Sequence, residues 1–178
     1  MNPLHIIEKY YNPNGEAYKI LAHHSRDVAD KALSLAKNRP DLNPDLRFIE
    51  EAAMLHDIGA CLTYAPKIYC EGDKAYICHG YLGGEMLVKE GYPLHALVCE
   101  RHTGTGLSLQ NIINTNLPLP HRDMLPVSIE EQIICFADKF YSKKNLGNER
   151  TVEAARDKLA KHGQETLERF DNWCKMFL

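Results

Sequence analysis

Ala53-Met54-Leu55-His56-Asp57-Ile58-Gly59 is the stretch on which the fold of this chain turns. A histidine followed at once by an aspartate stands at the end of an apolar run and just ahead of a glycine, so an imidazole and a carboxylate fall where a helix stops. Such a doublet can grip one metal ion from two sides. Upstream, Asn43-Pro44 predicts an N-cap followed by proline at the first helical position, Phe48, Ile49, Ala52, Ala53 and His56 form one apolar side, and Gly59 is placed to end the helix.

Ahead of that helix, a short first helix and a turn at Asn12-Pro13-Asn14-Gly15 lead into a long helical pattern from about Glu16. Leu21, His24, Val28, Ala32 and Leu35 recur at steps of three and four, so His24 points inward while His23 lies off the stripe, and Pro40 closes the segment. Past the doublet, residues 60–76 are too irregular for a regular element and read as a loop or short helix over the site. Ile77 to Glu90 resumes a helical pattern ending at Gly91, with His79, Leu82, Met86 and Leu87 on one face. Gly83-Gly84 in its middle would let another backbone or a ligand approach closely. Pro93 opens a helix with Ala96, Cys99 and His102 on one face.

Residues 107–126, with Pro118, Pro120 and Pro126, read as a long functional loop or flap. Ser128-Ile129-Glu130-Glu131 has the form of a capping box, and the helix it opens carries Asp138 among Ile134, Ala137, Phe140 and Tyr141. Two amphipathic helices follow at about 150–162 and 164–177, split by Gly163. No strand pattern or internal repeat is visible, so the expectation is an all-α helical bundle with a metal site between helices, built as a single domain over 1–178.

The 178-residue length allows a full core without disulfides, and 44% hydrophobic with 25% charged residues is ordinary for a globular protein. A net charge of -3 supplies no field to draw in nucleic acid or an anionic membrane. The opening decapeptide, broken by Pro3 and charged by Glu8 and Lys9, reads as neither a signal peptide nor a membrane span, so a cytoplasmic location is the default. The six cysteines form no C-x-x-C pair, and Cys99, Cys135 and Cys174 lie in apolar periodic segments, which favours buried free thiols.

Carboxylates and imidazoles among aliphatic side chains cost several kcal/mol each unless compensated, and a divalent cation compensates them together. His24, the His56-Asp57 doublet, His79, His102 and Asp138 come from separate helical segments, and cysteine is absent from the set, which argues against a closed structural zinc site. Nitrogen and oxygen donors of this kind suit iron, manganese, cobalt, nickel, zinc or magnesium. Six donors exceed what one catalytic ion takes from a protein, so two ions sharing Asp57 use them better, and a metal-activated hydroxide attacking phosphorus is the chemistry that best explains the set.

His24-Ser25-Arg26-Asp27-Val28-Ala29, His56-Asp57-Ile58-Gly59 and Ala137-Asp138-Lys139 resemble, in order, the motifs of the HD-domain metal-dependent phosphohydrolase superfamily, of the subgroup carrying HDIG. The resemblance spans about residues 20–145. It implies that His24, His56, Asp57 and Asp138 bind one ion, with Asp57 and His56 at the catalytic centre. By similarity to two-metal members it also implies that His79 and His102 bind a second. Ala60 and Cys61 stand where many cyclic-dinucleotide hydrolases of the superfamily carry a lysine, and no GYP signature is present, which speaks against cyclic diguanylate hydrolysis.

The expected substrate is a small phosphoester or phosphoanhydride, nucleotide-like, with Arg101, Lys139 and Lys67 as candidate substrate-binding residues; Lys143 and Lys144 are further basic residues able to meet phosphate. His5, His23, His95, His121 and His162 read as surface or capping residues. An HD-type mixed-valent di-iron oxygenase using the same six ligands, or a non-catalytic nucleotide sensor, are the alternatives. Oxygen-dependent turnover would mark the first and tight nucleotide binding without turnover the second. The sequence does not specify an oligomeric state.

Overall fold

The computed structural model describes residues 1–178 as a helical assembly carrying one minimal hairpin. Its nine helices are α1 (Pro3–Ile7), α2 (Glu16–Asn38), α3 (Leu46–Leu55), α4 (His79–Lys89), α5 (Pro93–Arg101), α6 (Leu109–Asn114), α7 (Ile129–Asp138), α8 (Val152–Leu159) and α9 (Gln164–Phe177). The all-α class read from periodicity therefore holds. No helix is long and apolar enough to cross a membrane.

Two buried clusters organise these helices. The larger joins Val28, Ala32 and Leu35 of α2, Ile49, Ala52 and Ala53 of α3, and Ile133, Ile134 and Phe136 of α7 to the C-terminal pair through Phe170, Trp173 and Phe177. Phe136 is its hub: ring centroids of Phe140, Phe170 and Phe177 lie 5.0, 5.2 and 5.6 Å away in edge-on or tilted contacts. Burying each such ring is worth about 2–3 kcal/mol. The second cluster gathers Ile6, Ile7, Tyr11, Leu21, Leu55, Ile58, Leu87 and Cys99 about the point where α3 ends. The C-terminus of α3, where the doublet sits, lies between the two.

The α3 cap differs from the sequence reading. Asp45, not Asn43, is the N-cap, its carboxylate accepting from Phe48 N–H at 2.9 Å. Asn43 instead takes a left-handed conformation (φ 49°) that closes a single 3-10 turn at Pro40–Leu42. Nor does Gly59 end α3. The helix stops at Leu55 with His56 as its C-cap, and Gly59 lies within a following 3-10 segment, Ile58–Leu62. The glycine serves a close approach: a Cβ there would collide with the His79 carbonyl and the Gly83 backbone. Gly83 is thus the near backbone contact anticipated within α4, and Gly91 (φ 86°) follows that helix as its C′ residue.

Residues 60–76 are more ordered than a loop. Strands β1 (Tyr64–Ala65) and β2 (Cys70–Glu71) pair antiparallel around a 3-10 turn at Pro66–Ile68, which corrects the absence of any strand. A two-residue strand carries no alternation for a periodicity argument to find. The helix expected from Ile77 begins at His79, preceded by a 3-10 turn at Tyr76–Cys78.

The proposed flap at 107–126 is also corrected. It contains α6, is tied at its ends by reciprocal backbone bonds between Leu107 and Met124 at 2.8 and 2.9 Å, and buries Ile112, Leu119 and Met124 in a small core of its own. Its prolines stiffen a packed excursion. At α7, Ser128 Oγ accepts from Glu131 N–H at 3.2 Å, but the Glu131 carboxylate turns to Val127 N–H and Arg101 rather than completing the box.

Candidate metal centre

Five segments deliver six donor side chains to one buried point. His24 comes from mid-α2, His56 and Asp57 from the end of α3, His79 from the first residue of α4, His102 from the end of α5 and Asp138 from the last residue of α7. Helix ends place most of them, because a residue at a terminus projects beyond the packed stripe while its neighbours remain in the core. They form two groups that share Asp57: His24, His56, Asp57 and Asp138 in one, and Asp57, His79 and His102 in the other, each with donor atoms within 4.8 Å of one another.

Asp57 divides its oxygens between them. Oδ2 lies 2.9 Å from His56 Nε2 and 3.2 Å from His24 Nε2, whereas Oδ1 lies 3.2 Å from His79 Nε2 and 3.4 Å from His102 Nε2. Asp138 Oδ1 completes the first group at 3.1 Å from His24 Nε2 and 3.5 Å from His56 Nε2. Asp57 and His56 are fully buried.

Backbone carbonyls fix the ring orientations. Nδ1 of His56 is 2.6 Å from Ala53 O, that of His79 is 2.7 Å from Tyr76 O, and that of His102 is 2.7 Å from Cys99 O. Each carbonyl holds a proton on Nδ1 and leaves Nε2 as the inward donor, the outer-layer arrangement common around metal-binding imidazoles. Tyr76 stacks on the His79 ring with centroids 4.5 Å apart. Buried Cys99 and Cys135 are free thiols behind the site, their S–H groups donating to the His56 and His102 carbonyls; Cys174 is only half-buried.

The donor set fits divalent cations. Donors about 2.1 Å from one ion and at right angles lie about 3.0 Å apart, close to the 2.9–3.5 Å spacings within the first group. Asp57 Oδ1 is buried without a hydrogen-bond partner, and Oδ2 of the same fully buried carboxylate is met by the Lys143 ammonium; a cation between the donors relieves the unmet demand. Burial alone would push His56 down, but Asp57 and Asp138 outweigh it and hold its pKa at about 9. Burial opposes ionisation of Asp57 too, and His56 and Lys143 overcome it, keeping its carboxyl well below the usual range.

Lys143, read from the sequence only as one of several basic residues able to meet phosphate, reaches the centre itself. Its ammonium contacts Asp57 Oδ2 and lies 5.8 Å from the Tyr76 ring centre. It sits after α7 in a turn with no periodicity to announce it, five residues past the last motif aspartate. Lys139 backs the centre, with Nζ 2.7 Å from Asp138 Oδ2 and donating to His102 O at 3.0 Å. Lys67 is exposed on the wall of the adjoining cavity. Arg101 does not line that cavity: its guanidinium is engaged by Glu131 at 2.9 and 3.2 Å.

The cavity has a volume of about 680 Å³ and opens over His24, His79, His102 and Asp138, within the range that takes a small-molecule ligand. Residues 64–68 and Tyr76 form one wall and the chain from Tyr141 to His162 the other.

An uncharacterized protein of Methanocaldococcus jannaschii is 34% identical over 107 residues, 60% of this chain and 56% of that protein. A tRNA (cytidine(56)-2'-O)-methyltransferase of Thermoplasma volcanium is 29% identical over 140 residues, 78% of this chain and 37% of the relative. The same-named enzyme of Picrophilus torridus is 32% identical over 105 residues, 58% of this chain and 27% of the relative. The chain thus spans about half of the first relative and about a third of the methyltransferases. No solved structure gives a significant match. The HD domain family matches residues 21–142, a span that holds all six donors, and the chain belongs to that family.

Proposed function

We propose that the protein is a metal-dependent phosphohydrolase acting on a small phosphoester or phosphoanhydride, nucleotide-like in size. The observation that carries the reading is the division of Asp57, with one carboxylate oxygen turned to each histidine group. His24, His56, Asp57 and Asp138 would hold one divalent cation, and Asp57, His79 and His102 a second. Bound there, such cations lower the pKa of water at neutral pH and offset charge growing on a phosphoryl oxygen.

The chain's own residues do the rest. The three carbonyls behind His56, His79 and His102 keep the donor nitrogens aimed inward. Lys139 keeps Asp138 ionised and in place. Lys143 presents an ammonium to the cavity beside Asp57, where it can meet a phosphoryl oxygen. Tyr76 stacks on the His79 ring at the cavity wall and helps hold its orientation.

Assay of the protein loaded with manganese, cobalt, nickel, zinc or iron against phosphomonoesters and nucleotides is the test. Phosphate release that disappears on chelation and in Asp57→Asn is expected. Full metal occupancy with no turnover across the panel would overturn the reading.

A further inference from the structure

The cavity wall farthest along the chain is built by residues that lie beyond the matched HD segment, which ends at 142. That wall is strongly basic. Lys143 is committed to Asp57 at the metal centre, and Arg150 is anchored through its donation to the Lys139 and Tyr141 carbonyls. Lys144 and Lys158, and Lys67 opposite, line the same space with no carboxylate within ion-pair distance, and His162 is there with a ring free to donate. The acid lining the cavity is Asp138, already paired with Lys139.

This surplus is local. The chain as a whole carries a net charge of -3, so a cluster of unpaired cations around one cavity is not the spill-over of a basic protein. Lys158 feels the crowding: partial burial and the neighbouring Arg150 push its pKa down, a repulsion that an anion would relieve. One phosphoryl group at the metal centre cannot serve them all, since its charge is met there by the cations and Lys143. The remaining volume of a 680 Å³ cavity is also far more than a phosphoryl group fills.

We propose that Arg150, Lys158 and His162, from the C-terminal segment outside the HD match, form a second anion subsite, so that the substrate carries two phosphate-like groups joined by an organic spacer. One group is presented to the metal centre and the other to this wall. The inference rests on the phosphohydrolase reading of the centre and deepens it by naming the substrate class. Lys144 and Lys67, exposed on the cavity lining, draw in a ligand with two anionic groups.

Non-hydrolysable ligands test it without turnover. Calorimetry of the manganese-loaded protein would compare methylphosphonate with alkane-1,n-bisphosphonates of two to six carbons, in wild type, in Lys158→Ala/His162→Ala, and in Lys89→Ala as a net-charge control away from the cavity. One spacer length is expected to bind at least about tenfold more tightly than the monophosphonate. That advantage should fall about tenfold in the double variant and persist in Lys89→Ala.

Monophosphonate binding with no advantage at any spacer, or an advantage untouched by the double variant, overturns the second subsite and leaves the metal-centre reading standing. Failure of monophosphonate to bind, with bisphosphonate binding that still depends on Lys158 and His162, supports the subsite and overturns the reading of the centre. Binding of neither overturns both.

Discussion

His79 Nε2 and His102 Nε2 face each other at 3.0 Å, while the Nδ1 of each ring lies at a backbone carbonyl three residues upstream. With protons held on Nδ1, two nitrogen lone pairs converge on one point, which is repulsive between neutral imidazoles and favourable around a cation. Burial pushes the His102 pKa down to about 4, so that ring does not relieve the repulsion by taking a second proton near neutrality. We expect His102→Ala to lower bound metal from two ions per chain to one, and Asp57→Ala to abolish tight binding of both. Elemental analysis after gel filtration checks this; two ions retained in His102→Ala would contradict the assignment.

The contact between Lys143 and Asp57 predicts opposite sensitivities with and without metal. In the metal-free protein Lys143 is a principal counter-charge for a fully buried carboxylate, and removing one partner of a buried pair costs about 3 kcal/mol. Bound cations supply that charge instead. Lys143→Met should therefore lower the melting temperature of the chelated protein by roughly 6–12 °C, at about 2–4 °C per kcal/mol for a chain of this size, and that of the loaded protein by much less. Equal losses in both states would show that the lysine is structural in the ordinary sense.

Much of the centre was legible because its donors sit on helix faces or at helix ends. His24 falls on the apolar stripe of α2, and Asp138 ends a helix whose other inward residues, apart from Glu131 in its first turn and Cys135, are aliphatic or aromatic. Lys143, Arg150 and Lys158 were not legible as a group. The first two lie in irregular chain after α7, and Lys158 projects from a short helix whose buried face is only Ala155 and Leu159. Their convergence depends on how α8 and α9 fold back onto α7, a tertiary fact that local periodicity does not encode. The flap at 107–126 failed as an expectation for the complementary reason: proline spacing reports stiffness but not whether Ile112, Leu119 and Met124 find a core.

The C-terminal helices owe their position to Phe136, which is completely buried between Phe140, Phe170 and Phe177. Phe136→Ala should cost about 3–5 kcal/mol. Because α8 and α9 hold the basic wall of the cavity, this loss loosens that wall while the donors on α3, α4 and α5 remain together. Urea unfolding gives the stability change. Hydrogen exchange should show early opening of 152–177 ahead of α4 and α5; uniform opening across the chain would argue against this division.

Gly59 tests whether the second group of donors is set by backbone contact. A methyl group at this position meets the His79 carbonyl oxygen and the Gly83 backbone, neither of which can rotate away, and Gly83 in turn lies against Gly59 N at 2.9 Å from its own added Cβ. Gly59→Ala must then move the start of α4, and His79 is the first residue of that helix. Asp57 and His56 precede the glycine and are held by α3 and by Ala53 O, so the first group is spared. We expect overpacking to cost about 1–3 kcal/mol, with loss of one metal ion per chain and retention of the other. Gly91→Ala is the contrast: nothing lies near its Cβ, but its φ of 86° strains any side chain, so it should destabilise without altering metal content. Retention of two ions in a folded Gly59→Ala protein would show that His79 is placed by its own helix and not by the glycine contact.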